Sequence, residues 1–161
     1  MNRLLLACVV LAAANAAVEA ECVFGYTQRE GGNCYKLFGQ NRHNWLTADH
    51  ICTSEGGWLT TLRNEADSVW VNSFFHENRR HFCTDWYWIG ANDFVREGVY
   101  EWVQDGSVLQ YFNWLPGEPN HHIGYNEDVV EVNSANRQWN DNILDGVQLC
   151  FICEKKPIGS C

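Results

Sequence analysis

Glu118-Pro119-Asn120 and, further along, Trp139-Asn140-Asp141 gather oxygen-bearing side chains into two tight clusters. Carboxylates and carboxamides are hard donors, the ligand type of Ca²⁺, which takes roughly 6 to 8 oxygens. Pro119 stands between two of them. An X-Pro bond adopts cis at modest cost, and a cis bond here would turn Glu118 and Asn120 toward one point. Read alone, Glu-Pro-Asn is an ordinary turn. The second cluster, and the acidic residues that collect between Glu118 and Asp145, make a cation site the better reading. His121-His122 offers zinc chemistry, but adjacent histidines point apart in an extended chain, and a solvated loop pair is the simpler reading. No Gly-x-Ser-x-Gly, His-Glu-x-x-His or phosphate-binding glycine loop occurs. A carboxylate pair for glycoside hydrolysis is compatible with the composition. The single loop offers no deep cleft, so the expectation is a binding protein and not an enzyme.

The elements that must position these residues are partly readable. Residues 22–40 read as a hairpin turning at Gly31-Gly32-Asn33. Residues 45–55 read as a helix capped by Asn44, with Ala48, Ile51 and Cys52 on one face and Gly56-Gly57 as its stop. Residues 65–77 read as a second helix, capped by Asn64, with Val69, Trp70, Ser73 and Phe74 as its inward stripe. Trp86–Ile89, Tyr100–Val103, Leu109–Phe112, Val129–Val132, Gln138–Asn140 and Gln148–Glu154 read as strands. Residues 113–128 form a long loop rich in Pro, Gly, Asn and His. The class is α+β, two helices followed by a mostly antiparallel strand region. Trp45, Trp88, Trp102 and Trp139 are expected in the core.

Residues 1–20 read as a signal peptide. Arg3 precedes an apolar stretch from Leu4 to Ala14, and Val18-Glu19-Ala20 is a small-residue cleavage pattern, with Ala14-Asn15-Ala16 as a competing site. The apolar run is too short to span a bilayer, so a secreted, extracellular protein is expected, with residues 21–161 as one domain. The chain of 161 residues carries a net charge of −9, and loss of Arg3 and Glu19 leaves that charge unchanged. Such a balance argues against nucleic acid or anionic membrane as partner. Of 8 cysteines, Cys8 leaves with the leader, which keeps Cys22, Cys34, Cys52, Cys83, Cys150, Cys153 and Cys161. A secreted chain with this set is expected to be disulfide-bonded, with one thiol left over for an interchain bond.

Glu118-Pro119-Asn120, Trp139-Asn140-Asp141, Trp88-Ile89-Gly90 and the Phe-Ile-Cys-Glu ending at 151–154 occur in the order and spacing of a C-type lectin domain. The chain after residue 21 resembles this family, whose members are calcium-dependent carbohydrate-recognition modules. The resemblance implies a C-type lectin-like fold with a long calcium-binding loop. It implies Ca²⁺ as cofactor, with Glu118, Asn120, Asn140, Asp141 and a loop glutamate as ligands of both metal and sugar. Glu127 fills the loop position if one residue is inserted around Ile123–Tyr125; Asn126 is the alternative. It implies the bridges Cys22–Cys34, of the family's long form, and Cys52–Cys153. The family's usual second core bridge falls on Val129 and Leu144, an apolar replacement. Cys83–Cys150 is then the preferred third pair, with Cys161 as interchain candidate; Cys83–Cys161 with Cys150 free is the alternative.

Glu-Pro-Asn in this family implies mannose-type sugars (mannose, N-acetylglucosamine, fucose), whereas Gln-Pro-Asp implies galactose. His121, His122 and Tyr125 stand close enough in sequence to alter that preference. A second calcium site is implied at Asp93 and Glu97, with Glu127 and Asp128 as partners, although His121 stands where an oxygen ligand is expected. The other reading of Asp93 and Glu97 is an exposed turn. The expected partners are glycans on cell or microbial surfaces, in an innate immune or agglutinating role, met by a homo-oligomer such as a disulfide-linked dimer. The alternatives are a galactose-type lectin with the same mechanism and an acidic extracellular matrix or biomineral protein.

Overall fold

The computed structural model describes residues 21–121 and 126–159. The expected signal peptide, His122, Tyr125 and Cys161 lie outside them. The first hairpin pairs β1 (Thr27–Gln28) with β2 (Cys34–His43), and its turn closes where Arg29 N–H donates to Asn33 C=O. Helix α1 (Trp45–Ser54) starts where Asn44 accepts from the Thr47 amide, an N-cap. It ends as Gly56, at φ +78°, and Gly57 return their N–H groups to Thr53 and Cys52. A two-residue strand, β3 (Trp58–Leu59), leads to α2 (Glu65–Asn78), capped by Asn64 through the Asp67 amide. The later strands are β4 (Trp86–Asn92), β5 (Glu101–Trp102), β6 (Val129–Asn133), β7 (Trp139–Asn142) and β8 (Leu149–Lys155).

These form an eight-stranded sheet in the order β1-β2-β8-β4-β6-β7, with β3 on β8 and β5 on β4. Among the named strands only β4 and β8 pair in parallel, and an isolated parallel bridge joins Trp114 to Trp139. The fold is α+β, as the order of elements implied. Trp45, Trp88, Trp102 and Trp139 are all buried. The indole N–H of Trp45 donates to Ile89 C=O and that of Trp88 to His43 C=O, at 2.8 and 2.9 Å. Gly90 has a steric reason: a Cβ there would sit 2.5 Å from Leu59 C=O, so only glycine lets β4 pass this close to β3.

Among the described residues three disulfides tie the sheet to its surroundings: Cys22–Cys34, Cys52–Cys153 and Cys83–Cys150. Cys52–Cys153 spans 101 positions, and closing a loop of that size removes on the order of 4 to 5 kcal/mol of unfolded-chain entropy. Val129 and Leu144 share one apolar cluster around Trp88 and Phe151.

Two expectations are corrected. The inward face of α2 is Ser68, Val71, Phe74 and Phe75, while Val69 is 41% exposed. Its face is rotated because Trp70 lies half-buried on Tyr35, ring centroids 4.6 Å apart, instead of entering the core. Residues 109–112 are not a strand. Leu109 alone is buried there, and the only bridge nearby joins Glu101 to Val108.

Candidate functional site

The site forms where the long loop is fastened to β7. Trp139 N–H donates to Asn113 C=O and Leu115 N–H to Trp139 C=O, so the loop leaves along the outer edge of β7. Gly117, at φ +97°, and Glu118, whose N–H donates to Leu115 C=O, close a turn. The Glu118–Pro119 peptide bond is cis. The amides of Asn120 and His121 then donate to the two carboxylate oxygens of Asp141, at 3.2 and 3.1 Å. Tyr100 adds a third donor, its hydroxyl 3.3 Å from Asp141 Oδ2. Asp141 is fully buried, so strand and loop share one carboxylate as their anchor.

Register decides the rest. In the β6–β7 pairing Glu131 faces Asn140 and Val130 faces Asp141. The Asn140 amide nitrogen donates to Glu131 Oε1 at 3.1 Å and to Asp141 C=O at 2.6 Å. The Asp141 carbonyl can only accept, which fixes the nitrogen on that side and turns the amide oxygen the other way. Glu131 is buried in the β6 strand, and burial, with Glu127 and Glu118 nearby, pushes its carboxyl up to about 7. Glu118 is raised as well, first by burial and then by the adjoining Asp141 carboxylate. Its Oε2 is buried without a hydrogen-bond partner.

The structure therefore gathers Glu118, Asn120, Asn140 and Asp141 around the loop's attachment to β7, with the charge of Glu127 felt at Glu131. Asn126 is exposed and donates instead to Asp128, 2.6 Å away. Tyr100 and Glu131 join the constellation, and the sequence reading has them only as strand residues. A lone glutamate in the run Val-Val-Glu-Val was the available signal for Glu131. Tyr100 offered no signal, because its role depends on where β5 delivers it.

Next to this lies a second group. Asp93 N–H donates to Asp128 C=O, and Asp93 Oδ2 accepts from the Gly98 amide at 2.8 Å. His121 Nδ1 approaches Glu97 Oε1 to 2.6 Å and Asp141 Oδ2 to 3.5 Å. Burial raises the carboxyls of Asp93 and Asp128, with Glu97 contributing to both.

A family model for the lectin C-type domain matches residues 41–155. The chain belongs to the C-type lectin domain family. A perlucin-like protein of Mytilus galloprovincialis is 32% identical over 146 residues, covering 90% of each chain. The galactose-specific lectin nattectin of Thalassophryne nattereri is 34% identical over 158 residues, 94% of this chain and 92% of that one. Among solved structures, the C-type lectin CEL-I of Cucumaria echinata superposes with a TM-score of 0.73 at 25% identity, over 83% of this chain and 96% of CEL-I. A mutant of CEL-I named EPNH gives 0.72 at 27%, over 83% and 95%. Residues 118–121 of this C-type lectin domain read Glu-Pro-Asn-His.

Proposed function

We propose that this domain binds carbohydrate through Ca²⁺ and prefers mannose-type sugars. The observation that carries the reading is the set of buried oxygens crowded at the base of the loop. Glu118 Oε2 has no hydrogen-bond partner, and the Glu118 and Glu131 carboxyls are raised by burial and by neighbouring acids. An all-oxygen donor set short of positive charge fits a hard cation. Glu118, Asn120, Glu127, Asn140 and Asp141 would hold the ion. Bound there, calcium supplies coordination positions that two adjacent sugar hydroxyls can occupy.

The chain's own residues do the orienting. Glu118 and Glu127 accept from the sugar hydroxyls, and Asn120 donates. Asn140 already spends its amide hydrogens on Glu131 and Asp141 and must release one to meet a sugar. The direction of donors and acceptors across the ion then selects hydroxyl orientation, so Glu118 with Asn120 favours mannose, N-acetylglucosamine and fucose. The likeness to a galactose-specific lectin supports a second reading, galactose binding by the same mechanism.

Residues 1–20 act as a secretion signal in this proposal, and the partners are glycans on cell or microbial surfaces. Among the described residues no helix is long and apolar enough to cross a membrane. One open site binds weakly, so avidity requires several copies, for which Cys161 is the proposed interchain link. The test uses mannose, N-acetylglucosamine and galactose resins with Ca²⁺ or EDTA. The native protein is retained on the first two and released by EDTA, and the paired change Glu118→Gln with Asn120→Asp moves retention to galactose. Calcium-dependent retention of the native protein on galactose alone overturns the mannose preference; no retention on any resin overturns sugar binding.

A further inference from the structure

The group at Asp93, Glu97 and His121 differs in kind from the five-ligand set. Its ligand atoms, two carboxylate oxygens and one imidazole nitrogen, all lie within 4.8 Å of one another. A four-coordinate ion with bonds near 2.0 to 2.1 Å needs ligand atoms about 3.3 Å apart. Drawing the widest pair together by that difference is within the reach of Glu97, whose side chain is 60% exposed, and of the His121 ring.

Two atoms in the group make no hydrogen bond. Asp93 is 2% exposed, yet its Oδ1 is buried and accepts no hydrogen bond. His121 Nδ1 is also buried without a hydrogen bond, its contacts being ion-pair approaches to Glu97 Oε1 at 2.6 Å and Asp141 Oδ2 at 3.5 Å. The Glu97 contact leaves Asp93 Oδ1 unsatisfied, and an unsatisfied buried carboxylate oxygen is costly. An ion among these three side chains gives the Asp93 carboxylate a partner that its neighbours do not supply.

The backbone holds the group ready. Asp93 is fixed at the end of β4 by its bonds to Asp128 and Gly98. His121 adopts φ +43°, uncommon for a residue with a side chain, while its N–H is held by Asp141 and its ring lies parallel to Tyr100 at 6.3 Å. Asp128 adds negative charge at the edge of the group.

We infer that Asp93, Glu97 and His121 bind a divalent cation of the zinc class, beside the calcium ligands and distinct from them. Calcium wants many oxygens and has little use for a nitrogen donor. Imidazole with carboxylates suits a borderline ion, and three protein ligands leave a fourth position for water. His121 thus converts the expected second calcium site into one of different ion preference.

The test is a calorimetric titration of the whole chain with Zn²⁺, with any free thiol alkylated, in the absence and the presence of saturating Ca²⁺. Co²⁺ serves as optical probe in a parallel titration. The expected result is about one equivalent of Zn²⁺ bound in both conditions, with the visible bands of low-coordinate Co²⁺. His121→Asn, and separately the exposed Glu97→Gln, each weaken Zn²⁺ binding at least about tenfold, with near-ultraviolet circular dichroism unchanged. Zinc binding unaffected by both variants, or displaced competitively by Ca²⁺, overturns the inference. Because the titration does not use sugar, it stands or falls independently of the lectin reading.

Discussion

Glu154 and Glu118 are the same side chain in opposite circumstances. Glu154, on β8, is 3% exposed and surrounded by donors. Asn33 and Tyr35 bond Oε1, while the amide and hydroxyl of Thr61 and the hydroxyl of Thr60 bond Oε2, at 2.6 to 3.3 Å. That charge is fully answered inside the protein, and it pins the N-terminal hairpin, the β3–α2 connection and the last strand together. Glu118 has a buried oxygen with no partner and a carboxylate, Asp141, beside it. A saturated buried carboxylate is a structural clasp; an undersatisfied one among other acids is what the proposed calcium site would draw on.

Removing the clasp gives the largest effect. Glu154→Ala orphans its buried donors and is expected to destabilise the fold by about 3 kcal/mol in urea unfolding; a loss near zero would erase the contrast between the two poles. Second is the ion itself. With Ca²⁺ a hundredfold above its dissociation constant, the native state gains about 2.7 kcal/mol, seen as a rise in melting temperature that EDTA reverses. The loop 113–128 should then be the first region cut by protease after EDTA, with the Glu154 pole still protected.

Third, Glu118→Gln relieves repulsion with Asp141 but removes a proposed calcium ligand. Calcium affinity by calorimetry is expected to fall about tenfold, equal to ~1.4 kcal/mol, while calcium-free stability stays within about 0.5 kcal/mol of the native value. A stability loss as large as that of Glu154→Ala would mean that Glu118 is also a clasp. The smallest effect comes from Tyr100→Phe, which deletes one of three donors to Asp141 and costs about 1 kcal/mol in thermal unfolding.

What the sequence made legible was local. Asn44 and Asn64 cap their helices by bonds three residues long, and Gly56-Gly57 stops the first, so short-range chemistry sufficed. The α2 stripe was misread because a 3.6-residue period tolerates rotation and because Trp70 packs at the margin over Tyr35. Strand β3 has two residues, too few to show a period, and exists only because β8 offers an edge. Residues 109–112 look like a strand but their pairing stops at one bond, Leu109 N–H to Tyr100 C=O, and Tyr111 turns its hydroxyl to Glu65. At the site, the motif residues were legible by type and order. Glu131 and Tyr100 were not, since their parts follow from cross-strand register and from the delivery of β5 across the sheet.

The central claim is that the undersatisfied carboxylate pole takes up calcium and, only then, sugar. Calorimetry tests it most directly: Ca²⁺ titrated into the metal-free chain, followed by methyl mannoside into the loaded sample and into an EDTA-treated one. The account predicts saturable calcium binding and mannoside heat in the loaded sample alone. Equal mannoside binding in EDTA, or no calcium binding at millimolar concentration, would contradict it.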